Sequence, residues 1–187
     1  MKIKDIIISA ATLAGREDIC NYLSEGYAED HAAAKKDADI MLRCFNLVEN
    51  EIALEYKPLI FFENVITDGG IINFDSLKKQ ITDVVKIEDI YGNRIKYRLF
   101  NTYLKTKPGE VVIYYSCIPE KKGLEDSSDY KESEMPLRVM AEGVACEFSL
   151  VSALYDEAVL WDKRYKDSLL KICSKKTDKP MPARRWI

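Results

Sequence analysis

The feature that most constrains the fold is a long apolar stripe in the first third of the sequence. Its members are Ala34, Ala38, Met41, Phe45, Val48 and Ile52. They follow one another at alternating spacings of four and three residues, which places them along one face of an α-helix. Asp30 is a suitable N-cap for this helix, and Pro58 must lie beyond its end. A helix with such a stripe needs other helices to cover it.

The period of the apolar residues changes after Pro58. Residues 59–67 and 111–116 are rich in β-branched and aromatic side chains, which favour strands. A turn is expected at Asp68-Gly69-Gly70, and Lys107-Pro108-Gly109 forms another. The sequence therefore predicts strands in the middle of the chain, between helices.

A hairpin is predicted between these two runs. Its arms are residues 84–91 and 94–104, joined by the two-residue loop Gly92-Asn93, which needs positive φ. Alternation in the second arm indicates that one of its faces is buried. The residues expected on that face are Ile95, Tyr97 and Leu99. Together the runs and the hairpin predict a small antiparallel sheet of about four strands.

Further helices are predicted on both sides of the sheet. Residues 2–14 and 17–23 have helical composition, and Gly15 is placed to end the first helix. After the sheet, two more apolar stripes follow. They consist of Leu137, Ala141, Val144, Ala145, Phe148 and Val151, and then of Leu154, Ala158, Trp161, Tyr165, Leu169 and Ile172. Asp156 is a good N-cap, so we expect a kink or turn at Tyr155-Asp156 between them.

These elements predict an α+β fold, a helical bundle with an inserted small antiparallel β-sheet and an extended C-terminal tail. Residues 1–57 and 136–174 form the predicted bundle, and residues 58–118 form the inserted sheet. Residues 119–135 are polar and are predicted to be a mobile loop. Residues 175–187 are basic and contain two prolines, which favours an extended docking tail.

The overall charge and the cysteines narrow the range of functions. The 187 residues carry a net charge of −3, whereas proteins that bind nucleic acid broadly have a basic balance. The five cysteines are scattered and form no C-x-x-C pair, so we interpret them as small buried hydrophobes in a reducing compartment. No apolar run approaches the roughly 20 residues that cross a bilayer, and we expect synthesis in the cytoplasm.

The motifs do not favour catalysis. His31 is the one histidine and stands at a predicted helix start. An acidic cluster lies off the long apolar stripe, which favours a solvated helix face over a carboxylate metal site. The cluster consists of Glu49, Glu51 and Glu55. Glu142 and Glu147 would be general acid and base if they met in a cleft, although such residues more often face solvent or form an ion pair with a basic neighbour. We expect no enzyme activity, no cofactor and no metal site.

The two short N-terminal helices around Gly15 have the order of a helix-turn-helix. The second begins with Glu17-Asp18, and these acids would be repelled by phosphates. Sequence-specific reading of DNA is therefore not expected.

The C-terminal tail is the segment most favoured for docking to a partner. An exposed tryptophan at a chain end gains stabilisation only if something buries it, and arginine and tryptophan are common binding anchors. The candidate residues are Lys179, Pro180, Met181, Arg184, Arg185, Trp186 and Ile187.

The arrangement of several runs resembles a known family, the phage head–tail adaptors. Residues 85–97 read VKIEDIYGNRIKY, and residues 107–115 read KPGEVVIYY. Residues 141–148, AEGVACEF, lead into residues 153–161, ALYDEAVLW, and then into Arg164-Tyr165. This is similar to the tubular adaptor of short-tailed phages and its prophage relatives, with their paired C-terminal helices.

The resemblance implies a structural virion protein of the particle's neck. A dodecameric ring of such subunits would bind the portal protein on one side and tail or neck proteins on the other. Genomic DNA would pass through its lumen without specific contacts, and no membrane is involved. The C-terminal tail of each chain would run to the portal. The polar loop would project toward a neighbouring subunit, the lumen of the ring or the tail of the particle. The loop candidates are Lys121, Lys122, Leu124 and Tyr130.

Two other readings remain open from the sequence. A different neck or tail component, such as a tail terminator, is usually dominated by sheet, and the long helical stripes count against it. A small-ligand-binding module or enzyme would use a concave sheet face with its tyrosines, although these also serve as cross-strand pairs. The tyrosines concerned are Tyr97, Tyr103, Tyr114 and Tyr115.

Overall fold

The computed structural model describes residues 1–25 and 30–173, and in these residues it confirms the α+β class. The helices are α1 (Ile3–Leu13), α2 (Glu17–Glu25), α3 (His31–Glu51), α4 (Leu137–Val151) and α5 (Tyr155–Cys173). The strands are β1 (Leu59–Thr67), β2 (Ile71–Asn73), β3 (Ile81–Asp89), β4 (Arg98–Leu99), β5 (Tyr103–Lys105) and β6 (Gly109–Cys117). The strands lie between α3 and α4 in the sequence, as predicted.

Helix α3 forms as its apolar stripe predicts. All six residues of the stripe are buried in the bundle. Asp30 caps the helix, because its Oδ1 accepts a hydrogen bond from the Ala33 N–H at 3.0 Å. The helix continues into one π-helical turn, Ile52–Tyr56, and strand β1 begins just after Pro58. The stripe and the proline thus set both the buried face and the end of the helix.

The bundle core is formed by α1, α2, α3, α4 and α5 together. Its tightest point lies at Gly143 in α4. A methyl group at this position would stand 2.8 Å from Cγ1 of Val48 and 2.9 Å from Cε2 of Tyr165, both closer than carbon atoms pack. The glycine therefore lets α3 and α5 approach α4 closely, which agrees with the small residues of the predicted stripe.

The turn between α4 and α5 differs from the prediction. The stripe fails at its ends, because Val151 and Leu154 are 60% and 47% exposed and Ile172 is 37% exposed. Asp156 is not the N-cap of α5, which already begins at Tyr155. A turn at the end of α4 makes this change of direction, and it leaves apolar side chains outside the bundle.

The insert contains two three-stranded antiparallel sheets rather than one sheet of about four strands. Their strand orders are β1-β6-β3 and β2-β5-β4. Side chains of both sheets form one cluster, made of Ile72, Val84, Ile87, Leu104, Val111, Ile113, Tyr115 and Cys117. The second sheet is built from strands of two or three residues, which have too few residues for a clear period.

The predicted hairpin forms only in part. The Asp89 N–H donates to the Asn93 carbonyl at 2.9 Å, and the Gly92 N–H donates to the Asp89 carbonyl at 3.0 Å. The loop is therefore residues 90–92, three residues rather than two, with Gly92 at φ +82°. A tight turn followed by a left-handed glycine produces this longer loop.

The second arm leaves β3 soon after this loop. The Ile95 N–H still donates to the Ile87 carbonyl at 2.9 Å, but β4 pairs with β5 instead. Ile95 and Tyr97 are partly buried against the insert core, whereas Leu99 is 54% exposed. The expected buried face is thus correct for two of its three members, because the arm changes partner before Leu99.

The cysteines behave as small buried side chains. Cys44, Cys117 and Cys146 are buried, Cys20 and Cys173 are partly buried, and all five are free thiols. Burial raises the pKa of Cys44 to about 12, so this thiol stays protonated and unreactive at neutral pH. Among the described residues, no helix has the length and apolar character to cross a bilayer.

Candidate functional site

The segment between the insert and α4 is anchored to the bundle by a buried carboxylate. Glu49 in α3 is fully buried, and its Oε2 accepts from Lys122 Nζ at 2.7 Å. Its Oε1 accepts from Ser128 Oγ at 2.7 Å and from the Asp129 N–H at 2.8 Å. Lys122 Nζ also contacts Asp129 Oδ2 at 2.6 Å. The carboxylate is thus satisfied entirely by the segment that covers it.

The charge of Lys122 is favoured in this position. Burial alone would lower the pKa of its ammonium group, but the hydrogen bonds to Asp129 and Glu49 outweigh burial and raise the pKa. The backbone of Lys122 is also held, because its N–H donates to Asn46 Oδ1 at 2.8 Å and its carbonyl accepts from Asn46 Nδ2 at 3.1 Å. This side chain and its backbone fasten the segment to one face of α3.

The loop candidates are therefore distributed differently from the prediction. Lys121 is exposed, and Leu124 is partly buried against the bundle core. Lys122 lies in the carboxylate cluster, with its side chain 11% exposed. Tyr130 is 1% exposed, and its hydroxyl donates to the Lys57 carbonyl at 2.6 Å. The expectation that Lys122 and Tyr130 project toward other molecules is wrong, because both serve the fold.

The acidic cluster on α3 is also corrected by the structure. Glu49 is buried and does not lie on a solvated face. It follows Phe45 by four residues, and this spacing places it beside the apolar stripe on the helix surface. Glu51 is partly buried and accepts from the Tyr165 hydroxyl at 3.2 Å. Burial raises the pKa of Glu51, and this hydrogen bond offsets part of the effect. Glu55 is exposed as predicted.

The residues considered for catalysis do not meet. Glu142 is buried and accepts from Arg138 Nε at 3.0 Å and from Ser168 Oγ at 3.2 Å. No hydrogen bond joins it to Glu147. His31 is exposed and packs edge-on against Tyr22. No cluster of three or more potential metal ligands occurs among the residues that the structure describes.

The four tyrosines proposed for a ligand-binding sheet face do not share a face. Tyr115 is fully buried, and its hydroxyl donates to Glu63 Oε1 at 2.7 Å. Tyr114 points to the opposite side of the same strand and stacks against Phe62, with ring centroids 5.6 Å apart. Tyr97 donates to the Val84 carbonyl at 3.1 Å. Tyr97, Tyr114 and Tyr115 thus each have a local structural contact, and the four tyrosines do not form one shared face.

One exposed apolar surface lies on the outer face of the first sheet, and we call it the sheet surface. It comprises the exposed Ile60, Phe62 and Ile66 on β1 with the partly buried Val112 and Tyr114 on β6, and the polar Asn64 lies between Phe62 and Ile66 in the same row. The three β1 side chains are 53%, 62% and 82% exposed. Strand β1 is also an edge strand, paired over nine residues with β6 and with no strand on its other side within the described ranges. Such an edge can pair with another chain.

A second exposed apolar surface lies at the junction of α4 and α5, and we call it the helix-turn surface. It comprises Leu150, Val151, Leu154, Tyr155 and Val159. Their exposed fractions run from 45% to 69%. The sequence carried a signal for both surfaces. Leu150 and Tyr155 are further apolar residues beside the predicted stripe members Val151 and Leu154. Both faces of β1 also carry apolar residues, and one core cannot bury both faces.

The candidate docking residues of the C-terminal tail, from Lys179 to Ile187, lie outside the described residues. Their assignment therefore stays a prediction from the sequence.

No protein-family model matches the sequence, and no curated protein matches it either.

Proposed function

We propose that this chain is a non-enzymatic structural subunit of a phage-like particle, a head–tail adaptor that forms a ring between portal and tail. The observation that carries the proposal is the pair of separate apolar surfaces, one on the insert and one on the helical bundle. A soluble monomer rarely exposes several large apolar side chains together unless they serve an interface.

Two unlike surfaces suit a ring better than a two-fold dimer. A two-fold interface uses the same patch on both subunits, whereas a ring needs two different patches that fit each other. The sheet surface belongs to strands and the helix-turn surface to helices, so they differ in shape and chemistry. In the proposed assembly, each subunit contacts one neighbour through its sheet surface and the other neighbour through its helix-turn surface. Genomic DNA passes through the lumen without specific contacts.

Co-assembly with a portal protein from the same genome tests the proposal. The full chain is mixed with portal rings and analysed by size-exclusion chromatography with light scattering, followed by electron microscopy. The expected result is a portal–adaptor complex that shows a second ring. If the full chain does not associate with intact portal rings, the adaptor role is wrong.

Two single variants test which surfaces close the ring. Ile66→Glu places a charge on the sheet surface, and Val159→Glu places one on the helix-turn surface. We expect either variant to bind portal without forming closed rings, because a buried unpaired charge opposes association. Leu47→Glu is the matched control, since Leu47 is 58% exposed on α3 and belongs to neither surface. Ring closure that survives both variants would contradict the assignment of the surfaces.

A chain ending at Lys176 tests the predicted tail. Residues 179–187 are expected to supply much of the portal affinity, so the shortened chain should lose portal binding while it keeps its fold by circular dichroism. Unchanged portal binding by the shortened chain would show that the tail is not the docking element, and would leave the ring test above unaffected.

A further inference from the structure

Basic charge is concentrated in one stretch of the insert, although the chain as a whole is acidic. Residues 94–107 contain five basic residues and no acidic residue. They are Arg94, Lys96, Arg98, Lys105 and Lys107. All five are exposed, and the stretch includes β4 and β5 of the second sheet. In a chain with a net charge of −3, this is a local reversal of sign.

The sheet brings two of these cations face to face. Arg98 on β4 stands directly opposite Lys105 on β5, so both side chains lie on the same side of the sheet. Like charges placed opposite each other destabilise an antiparallel pair. No ion pair relieves Arg98, Lys105 or the nearby Lys96 among the described residues, whereas Arg94 and Lys107 lie close enough to help lower the carboxyl pKa values of Glu88 and Asp89. The fold therefore leaves three of the five cations uncompensated.

These side chains line an open cleft. Its volume is about 460 Å³, and the lining residues are Lys96, Tyr97, Arg98, Lys105, Thr106 and Lys107. Thr106 carries a buried hydroxyl for which the described residues supply no hydrogen-bond partner. The cleft thus gathers four cations, three of which the fold leaves uncompensated, and this is the chemistry of a site for phosphate groups.

An aromatic pair adjoins the cleft at the turn between β4 and β5. Phe100 and Tyr103 stack with their centroids 4.6 Å apart and their planes 14° from parallel. The Phe100 N–H donates to the Tyr103 carbonyl at 2.9 Å, which fixes the pair at the end of the sheet. Phe100 is 42% exposed, so a flat ligand can reach its ring.

From this arrangement we infer that the basic cleft and the adjacent ring pair bind single-stranded nucleic acid. The cations contact successive phosphates, and an unpaired base stacks on Phe100, as in other single-strand sites that combine a basic groove with aromatic platforms. The ring pair distinguishes this ligand from an acidic peptide, which offers negative charge without a base to stack. This binding goes beyond the proposed adaptor function and does not depend on ring assembly.

Fluorescence anisotropy with a labelled oligothymidine of about 20 nucleotides tests the inference on the full chain, in about 50 mM salt. The cleft variant carries Lys96→Glu, Arg98→Glu and Lys105→Glu. A matched control carries Lys35→Glu, Lys36→Glu and Arg43→Glu, three exposed basic residues of α3. The two variants change the net charge equally and leave the basic C-terminal tail intact.

We expect the cleft variant to lose at least about tenfold in affinity, and the control to lose much less. The magnitude of the slope of the logarithm of affinity against the logarithm of salt concentration should also fall by about 2, because three phosphate contacts are lost. Phe100→Ala should weaken oligothymidine binding by about tenfold and leave duplex binding unchanged, because duplex bases are already stacked. Thermal unfolding checks that each variant is folded.

Three results would overturn the inference. The first is no binding of oligothymidine by the unmodified chain. The second is an equal loss of affinity in the cleft variant and the control, which would indicate non-specific attraction. The third is displacement of the oligonucleotide by polyglutamate of equal charge as effectively as by unlabelled oligothymidine, which would identify an acidic protein as the ligand.

Discussion

Two helices of this chain end in the same way with different residues. After α1, the Arg16 N–H donates to the Ala11 carbonyl and the Gly15 N–H to the Thr12 carbonyl, with Gly15 at φ +66°. After α4, the equivalent bonds run from Leu154 and Ala153 to residues 149 and 150, with Ala153 at φ +60°. Both are Schellman motifs, but only the first has the glycine that this left-handed position favours.

The strained position of Ala153 leads to a prediction at the scale of one residue. Ala153→Gly should raise the free energy of unfolding by about 0.5–1 kcal/mol, because the cost of left-handed geometry exceeds the extra freedom of glycine in the unfolded chain. Gly15→Ala is the mirror-image control and should lower it by a similar amount, since a methyl group there meets no atom within 4 Å. Urea unfolding of both variants measures the difference, and a destabilised Ala153→Gly protein would contradict it.

At the scale of the element, the attachment to α3 of the segment between the insert and α4 depends on the Glu49 carboxylate. Glu49→Gln keeps the size of the side chain but removes the charge that pairs with Lys122, and its amide group meets donors on every side. We expect a loss of about 3 kcal/mol, as for other buried pairs that lose one partner. Relative to the unmodified chain, this variant should accelerate the hydrogen exchange of the Lys122 and Asp129 amides more than that of the amides in α4. Glu55→Gln, at an exposed position, should change stability by less than about 0.5 kcal/mol.

The pH dependence of the same cluster has a definite sign. The pKa of Lys122 is raised in the folded protein. A raised lysine pKa contributes stability that is complete below the unfolded value of about 10.4 and is lost as pH rises through the folded value. The free energy of unfolding of the unmodified chain should therefore fall as the pH rises above about 10.4. The free energy of unfolding of the Lys122→Met variant should fall less over the same pH range. Equal alkaline loss in both proteins would show that the cluster does not hold this charge.

The elements differ in how well the sequence predicts them. The stripe of α3, the end of α1 at Gly15 and the strands β1 and β6 follow from local period and turn residues. The second sheet does not, because its strands of two or three residues are too short for a clear period, and β2 pairs with β5 across a long stretch of sequence. The burial of Glu49 was missed because its partners come from more than 70 residues further along the chain. Exposed apolar residues such as Val151 are predicted in the core for a different reason, because the period of apolar residues does not distinguish a core face from a face that binds a partner.

At the scale of the whole molecule, the bundle and the insert have separate cores, and among the described residues one side chain packs against both. Leu59, the first residue of β1, is partly buried and packs against both the bundle core and the insert core. The Tyr130 hydroxyl bond to the Lys57 carbonyl braces the same junction. Because both ends of the insert lie side by side, with Leu59 paired to Cys117, we expect the insert to open while the bundle stays folded.

This arrangement predicts different effects for two substitutions in the same strand. Val65 packs against the insert core alone, so Val65→Ala should lower the protection of β6 amides from hydrogen exchange and leave α4 amides unchanged. Leu59→Ala removes contacts with both cores, so protection should fall in β6 and in α4, with a loss of about 2 kcal/mol in global stability. If Val65→Ala lowered protection in α4 as much as in β6, the two cores would unfold as one unit, and Leu59 would not be the link between them.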